Sequence, residues 1–451
     1  MHHSPVIGSV ALLAAALASA CPKDRPTALE PIKVGVLNPI SGPLASLGPS
    51  WENAARLAAE GVNAGGGLFD GRPLELIFRD SATAKDVAVA AAQELVELGV
   101  VGIIGPATSG ESSGVVEIAA QNELPMISCC ATAADLTASN TPNNGFFFRT
   151  TPSDKLQGKA LAFLVENGAQ GLAAPCTQVA FIHRNDAYGV GFKDVFVAEY
   201  DGELIAEGSY GSPDAEASGV ELVAAGQALA NDVFAAANKT GANGETCIVV
   251  IAFDVDGGPV INAIDADLSN RVAAQRALQP SFTLAFHFLV GDGANSSAFA
   301  TTVGDLGSKI LGTVPFHADN EAYAQFSKAF QARYEEEREP IAFTSQNYDA
   351  VFVMALAITQ AKSTVGKDIR NKLYSVSGQS GGRVFDGAFF GEVAAAILDG
   401  DNVDYVGPSG ELTFDAFGDV VGDYVLWQVA AVEGGFAVVE REPLRATVFN
   451  P

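Results

Sequence analysis

Twice along this chain a short β-branched run gives way to a longer stretch with helical apolar spacing, and the pair then repeats. The first series reads as a strand at Ile32–Asn38, a helix at Pro49–Asn63 closed by Gly65-Gly66-Gly67, and a strand at Leu74–Arg79. It continues with a helix at Ala84–Leu98, a strand at Val100–Gly105, a helix at Gly110–Asn122 and a strand at Leu124–Ser128. The second series opens with a helix at Asp154–Asn167, a strand at Gln178–His183, a helix at Gly191–Tyr200 and a strand at Leu204–Glu207. A helix at Ser218–Ala237, a strand at Cys247–Phe253, a helix at Pro259–Ala273 and a strand at Ser281–Phe288 follow. Parallel strands need a crossover between them, so this order dictates parallel sheets with helices on both faces. Two successive series predict an α/β fold of two Rossmann-like, doubly wound lobes. Residues 317–405 are helical again around Ala322–Glu337 and Tyr348–Ala361, and Gly407–Val439 alternates like antiparallel strands.

The 451 residues suffice for two cores, and 48% apolar with 18% charged residues is a globular composition. A net charge of −27 without a basic cluster excludes a nucleic-acid partner, which would need phosphates neutralised. Residues 6–20 form an apolar run ending in Ala18-Ser19-Ala20, too short for a membrane span and shaped like a secretory signal. Residues 1–20 are therefore expected to be a signal peptide and 21–31, polar with three prolines, a tether. Cys21 after these small residues resembles a bacterial lipobox, with Leu17 one place early, and makes Cys21 the candidate lipidation site. A lipid there would be the one membrane attachment, since Val351–Thr359, the most apolar later stretch, is too short to cross a bilayer.

Enzyme motifs fail on inspection. GQSGG (378–382) matches the nucleophile elbow of hydrolases, but every histidine (2, 3, 183, 287 and 317) precedes Ser380, whereas that mechanism needs one after it. GVGFKD (189–194) lacks the third glycine of a dinucleotide fingerprint, and no Cys or His spacing suits a metal. No enzyme activity, cofactor or metal is expected. The Glu335–Glu339 run reads as a solvated helix end.

Cys176 and Cys247 each stand at the start of a predicted strand of the second lobe. In doubly wound order those strands are parallel neighbours, so the two sulfurs share one sheet edge at disulfide distance. A structural disulfide is expected there, while Cys129 and Cys130 are either free thiols or a pair with each other.

In an open parallel sheet, ligands sit beyond the carboxyl ends of the strands. Three Gly/Ser/Thr-rich loops leave those ends in the first lobe: ISGPLASLG (40–48), GPATSGESS (105–113) and SCCATAADLT (128–137). They supply N–H groups and hydroxyls, and Ser109 stands where a helix begins, a place that favours a carboxylate. With NAGGGLFDGRPLEL (63–76), Asp80, IIGP (103–106) and LPMIS..AT..DLT (124–137), these loops resemble the periplasmic leucine/isoleucine/valine-binding protein family of ABC importers. FFFRTTPSDKLQG (146–158), FIHRNDAYGVG (181–191), NYDA (347–350) and GPSGELTFDAFGD (407–419) extend the resemblance over most of the chain beyond residue 32.

That resemblance implies a type I periplasmic binding protein whose lobes are joined by three hinge crossings, near Arg149–Pro152, Thr313–His317 and Gly407–Leu412. Lobe 1 would take 32–150 and 317–407, and lobe 2 would take 151–314 and 412–445. Carried over position by position, a ligand carboxylate would meet Ser109, Thr132 and the backbone at Cys130. Leu47 stands where the family often has an aromatic over the ligand, and Tyr188 would cover the ligand from lobe 2. Asp292 would receive its ammonium, with Asp254 the next candidate. The expected protein is an extracytoplasmic monomer that captures a small amino-acid-like ligand for an ABC permease. The competing reading is a bilobed sensor for an amide or urea-like ligand.

Overall fold

The computed structural model describes residues 29–168, 175–211, 217–240, 245–334, 340–378 and 381–450. The signal segment, Cys21, most of the tether, Glu335–Glu339 and Ser380 lie outside the described residues.

The first sheet contains β1 (Ile32–Asn38), β2 (Leu74–Asp80), β3 (Ile103–Ile104), β4 (Met126–Ser128) and β5 (Phe147–Arg149), all parallel, in the order β2-β1-β3-β4-β5. Six of the seven residues of β1 are buried, as a strand covered by helices on both faces requires. A Cβ at Gly35 would come within 2.6 Å of Leu95, so helix Lys85–Glu97 packs hard onto the strand there. On the opposite face, helix Gly48–Ala64 buries Trp51, Ala54, Ala55, Ala58, Ala59 and Val62. Its alanines let helix Thr344–Ala361 approach closely, and that helix is buried at almost every position. The apolar Val351–Thr359 stretch is thus the centre of a lobe 1 core helix. Among the described residues no helix is long and apolar enough to cross a membrane.

The second sheet is built from β6 (Gln178–Arg184), β7 (Leu204–Tyr210), β8 (Glu245–Ile251), β9 (Ala285–Val290) and β10 (Ile310–Pro315), again parallel. A small sheet of β11 (Arg383–Asp386), β12 (Val403–Gly407) and β13 (Gly410–Glu411) flanks lobe 1. The chain then returns, and β14 (Tyr424–Val432) and β15 (Gly435–Leu444) add an antiparallel hairpin beside β10. The resulting order is β15-β14-β10-β9-β8-β6-β7. Because β6 and β8 are neighbours with Val179 opposite Cys247, Cys176 reaches Cys247, and the structure joins them with Cα atoms 5.7 Å apart.

The chain passes between lobes after β5, after β10 and before β14. The third passage lies later than the expected Gly407–Leu412. β13 still pairs with β12, Phe414 and Val420 pack in the lobe 1 core, and Arg149 donates its backbone N–H to Gly418 O at 3.0 Å. Gly418 has φ +81°, and a Cβ there would lie 2.3 Å from Phe147 O, so only glycine lets this segment lie along β5. The crossing therefore falls between Val420 and Tyr424, beside the first passage, where Pro152 bridges Val420. The segment 412–420 belongs to lobe 1.

Candidate functional site

The carboxyl ends of β1, β3 and β4 open toward those of β6, β8 and β9, and a cleft separates them. Lobe 1 lines it with Leu44, Leu47, Trp51, Ser109, Cys130 and Thr132, and lobe 2 with Tyr188, Phe253, Asp292 and Gly293. Of the seven binding residues expected from sequence, the structure brings six to this one cavity. Asp254 is the exception. It is the first residue of helix Asp254–Leu278, which starts earlier than the Pro259 the sequence suggested, and its carboxylate accepts from Ser46 Oγ at 3.1 Å. Asp254 thereby ties the lips of the two lobes together and does not line the cavity.

On lobe 1, helix Ser109–Gln121 is capped by Thr108, whose Oγ1 accepts from Glu111 N at 3.2 Å while Glu111 returns the bond to Thr108 N. The cap sits one residue before Ser109 and leaves its hydroxyl free of that task. Ser109 Oγ accepts from Ala133 N at 3.1 Å and retains its proton for an incoming acceptor. The backbone at Cys130 is not the expected donor, because its N–H is spent on Ser128 Oγ at 3.2 Å. Ala131 N donates to the same oxygen at 3.0 Å. Thr132 N has no hydrogen-bond partner among the described residues, so Thr132 brings both an N–H and a hydroxyl to the cleft wall. Arg149, fully buried, donates to Ala131 O and Ala133 O at 3.1 and 3.0 Å and holds the loop from behind. It is anchored in turn by Asp419 at 2.7 Å.

On lobe 2, Tyr188 stacks on Phe253 with ring centroids 5.7 Å apart and donates to Asp292 Oδ1 at 2.6 Å. A Cβ at Gly291 would lie 2.5 Å from the tyrosine oxygen, which is why the turn reads Gly-Asp-Gly. Burial pushes Asp292 up to about 6, against the pull of the Tyr188 hydrogen bond. Burial also drives Asp154 well above the usual carboxylate range, reinforced by the charge of Asp292 and opposed by Arg149. The Thr132 hydroxyl lies near Asp154 and pulls the other way, yet neither carboxylate oxygen reaches hydrogen-bond geometry with a described partner. Two fully buried acids therefore share one electrostatic environment, with a cation in place for neither in the cleft itself.

Trp51, Phe253 and Phe343 are cleft-lining residues that the sequence reading missed, and it also missed Asp154, which does not line the cavity but is buried within electrostatic reach of Asp292. Trp51 lies one helical turn after Leu47, donates its indole N–H to Ala342 O at 2.9 Å and brings an aromatic ring to the same cavity. Phe343, at φ +64°, stands edge-on to Trp51 and comes from a segment distant in sequence, which no local pattern signals. Asp154 opens helix Asp154–Asn167 and reads locally as an ordinary acidic first turn.

Chemically, the cleft offers neutral donors on one wall, buried acid on the other, and an apolar lining of Leu44, Leu47, Trp51, Phe253 and Phe343 between them. Such an arrangement suits a small zwitterion with an apolar side chain. Among the described residues no group of acidic, His or Cys side chains could hold a metal.

Residues 31–403 match the model of the family described as periplasmic binding protein. Over 181 residues the chain is 33% identical to "Leu/Ile/Val-binding protein homolog 3" of Brucella melitensis, covering 40% of this chain and 47% of that protein. The chain thus matches about half the length of that relative. A fuller match, 25% identical over 93% of this chain and 91% of the other, is to "Chemotactic signal transduction system substrate-binding protein BasB" of Halobacterium salinarum. The fold is similar to that of the branched-chain amino acid transporter substrate binding protein LivJ of Streptococcus pneumoniae in complex with isoleucine. That likeness has a TM-score of 0.63 and 23% identity and covers 91% of this chain and all of the other.

Proposed function

Because the chain belongs to the periplasmic binding protein family, whose members are substrate-binding proteins rather than enzymes and act outside the cytoplasm, we propose that it captures an apolar α-amino acid for an ABC importer. The observation that carries the reading is the placement of neutral donors and of a buried acid on opposite walls of one cleft. Ser109 and Thr132 on one wall suit the carboxylate, and Asp292 on the other suits the ammonium, with the aromatic and aliphatic lining left for the side chain. Neither lobe satisfies the ligand alone, so binding and closure become one event. The amide or urea-like ligand of the sensory reading is not favoured, since a neutral ligand would leave Asp292 buried without a cation. Delivery of an amino acid to a chemotaxis partner is the second reading, supported by the Halobacterium relative. The mature chain acts as a monomer that presents its closed form to the permease.

Thermal-shift screening of the purified chain tests the ligand class. L-Leucine, L-isoleucine and L-valine should raise the melting temperature, whereas 4-methylpentanoate and isopentylamine, each lacking one charge, should not. Equal shifts with either one-charge analogue would overturn the assignment.

A further inference from the structure

Cys129 and Cys130 are bonded directly to each other at the end of β4, on the wall of the ligand cleft. The backbone around them has little freedom. Ser128 Oγ holds Cys130 N and Ala131 N and donates to Pro106 O at 2.7 Å, Arg149 holds the carbonyls of Ala131 and Ala133, and Asp154 N donates to Thr132 O at 2.8 Å. What can still change is the pair of sulfurs. Cys129 is fully buried, while Cys130 is partly exposed and borders the cavity that Leu47, Ala107 and Tyr188 also line. Two bonded sulfurs sit ~2.05 Å apart, and two thiols need van der Waals separation, on the order of 1.5 Å more. With the backbone pinned and Cys129 enclosed, the open side for that displacement is the cleft that Cys130 borders.

We propose that the Cys129–Cys130 bond sets the width of the ligand site, so that its reduction to two thiols narrows the cleft and weakens ligand capture. The step balances with a dithiol such as dithiothreitol. The protein S–S bond breaks, two S–H bonds form, and the two electrons and two protons come from the dithiol, which ends as its own cyclic disulfide. The pair acts by position, moving the wall against which the ligand packs, and Thr132 and Ser109 remain the groups that touch it. The affinity arm of the test rests on the amino-acid reading above, and the labelling arm does not.

L-Leucine is titrated against the oxidised chain, the dithiothreitol-treated chain and the reoxidised chain, following the fluorescence of Trp51, which lines the same cleft. Reduction should raise the dissociation constant by about tenfold or more, the loss expected from overfilling a packed site, and reoxidation should restore it. The Cys129→Ala/Cys130→Ala chain retains Cys176–Cys247, and its affinity should be indifferent to dithiothreitol. In the reduced, ligand-free chain, iodoacetamide should label Cys130 and spare Cys129, read by peptide mass. Unchanged affinity on reduction, sensitivity persisting in the double variant, equal labelling of both cysteines, or two free thiols in the oxidised chain would each overturn the proposal. If the oxidised chain binds neither leucine nor any other amino acid, the ligand reading fails, and the labelling pattern still decides where the sulfur moves.

Discussion

Asp292 and Asp154 are buried together on the lobe 2 side of the cleft, and their raised proton affinities give the site a pH dependence with a definite sign. In the ligand-free chain Asp292 holds a proton below about 6. A ligand ammonium stabilises the carboxylate and lowers that value, so affinity is complete above about 6 and falls as pH drops through it. Calorimetry should find leucine affinity decreasing by about tenfold per pH unit on the acid side, with protons released on binding. Asp292→Asn should flatten that profile and cost ~2–5 kcal/mol of binding, roughly thirty-fold to several-thousand-fold at neutral pH. The same variant should stabilise the empty chain. A carboxyl raised in the fold contributes stability below its unfolded value, 3.8, and loses it as pH rises through about 6. Removing the charge at pH 7 should therefore add up to about 3 kcal/mol in urea unfolding. The cleft-lining residues that sit in local motifs were legible in the sequence: Ser109, Thr132 and Tyr188 stand in loops at strand ends that are rich in Ser, Thr or Gly. Phe343 and Asp154 were not, because Phe343 is brought to the cleft by a helix packed from far along the chain and Asp154 is brought near Asp292 by the hinge. The error over Cys130 has a similar origin, since only the structure shows its N–H already taken by Ser128.

Among the elements, the strand–helix alternations were read correctly, and the strands at the crossings were lost. β1 and helix Asp154–Asn167 coincide with their predicted spans, because each carries its periodicity over its whole length. β5 and β10 lie at crossings, where the same residues must serve as strand and hinge. The third crossing was misplaced for the same reason: residues 412–420 look like a strand leaving lobe 1 but are held on it by Arg149 and Gly418. Arg149→Ala would take the cation from Asp419 and one donor from each of two loop carbonyls. It should destabilise the chain by ~3–5 kcal/mol and also weaken leucine binding, measurable by urea unfolding and calorimetry. The Cys176–Cys247 bond spans 71 residues at the edge of lobe 2 away from the cleft. Replacing both with serine should cost ~2–4 kcal/mol of stability and leave the leucine dissociation constant within about twofold, a contrast with the cleft cysteines.

Taken whole, the molecule is in a closed arrangement. One apolar cluster runs across the cleft, joining Leu44, Leu47 and Trp51 of lobe 1 to Tyr188 and Phe253 of lobe 2, and Ser46 bonds Asp254 at the lips. Ser46→Ala should leave the fold untouched and speed leucine release by about two- to tenfold, seen by stopped-flow Trp fluorescence, since it removes a contact made only on closure. The late return of the chain has a further consequence, for its manufacture. The sheet of lobe 2 is completed by β14 and β15, and the core of lobe 1 is filled by helix Thr344–Ala361, so neither lobe is whole until most of the polypeptide has left the ribosome. A nascent chain of this design is expected to stay incompletely folded through synthesis. That is the state in which a polypeptide can still be threaded through a narrow secretion pore, and it becomes a finished receptor only once its tail has followed.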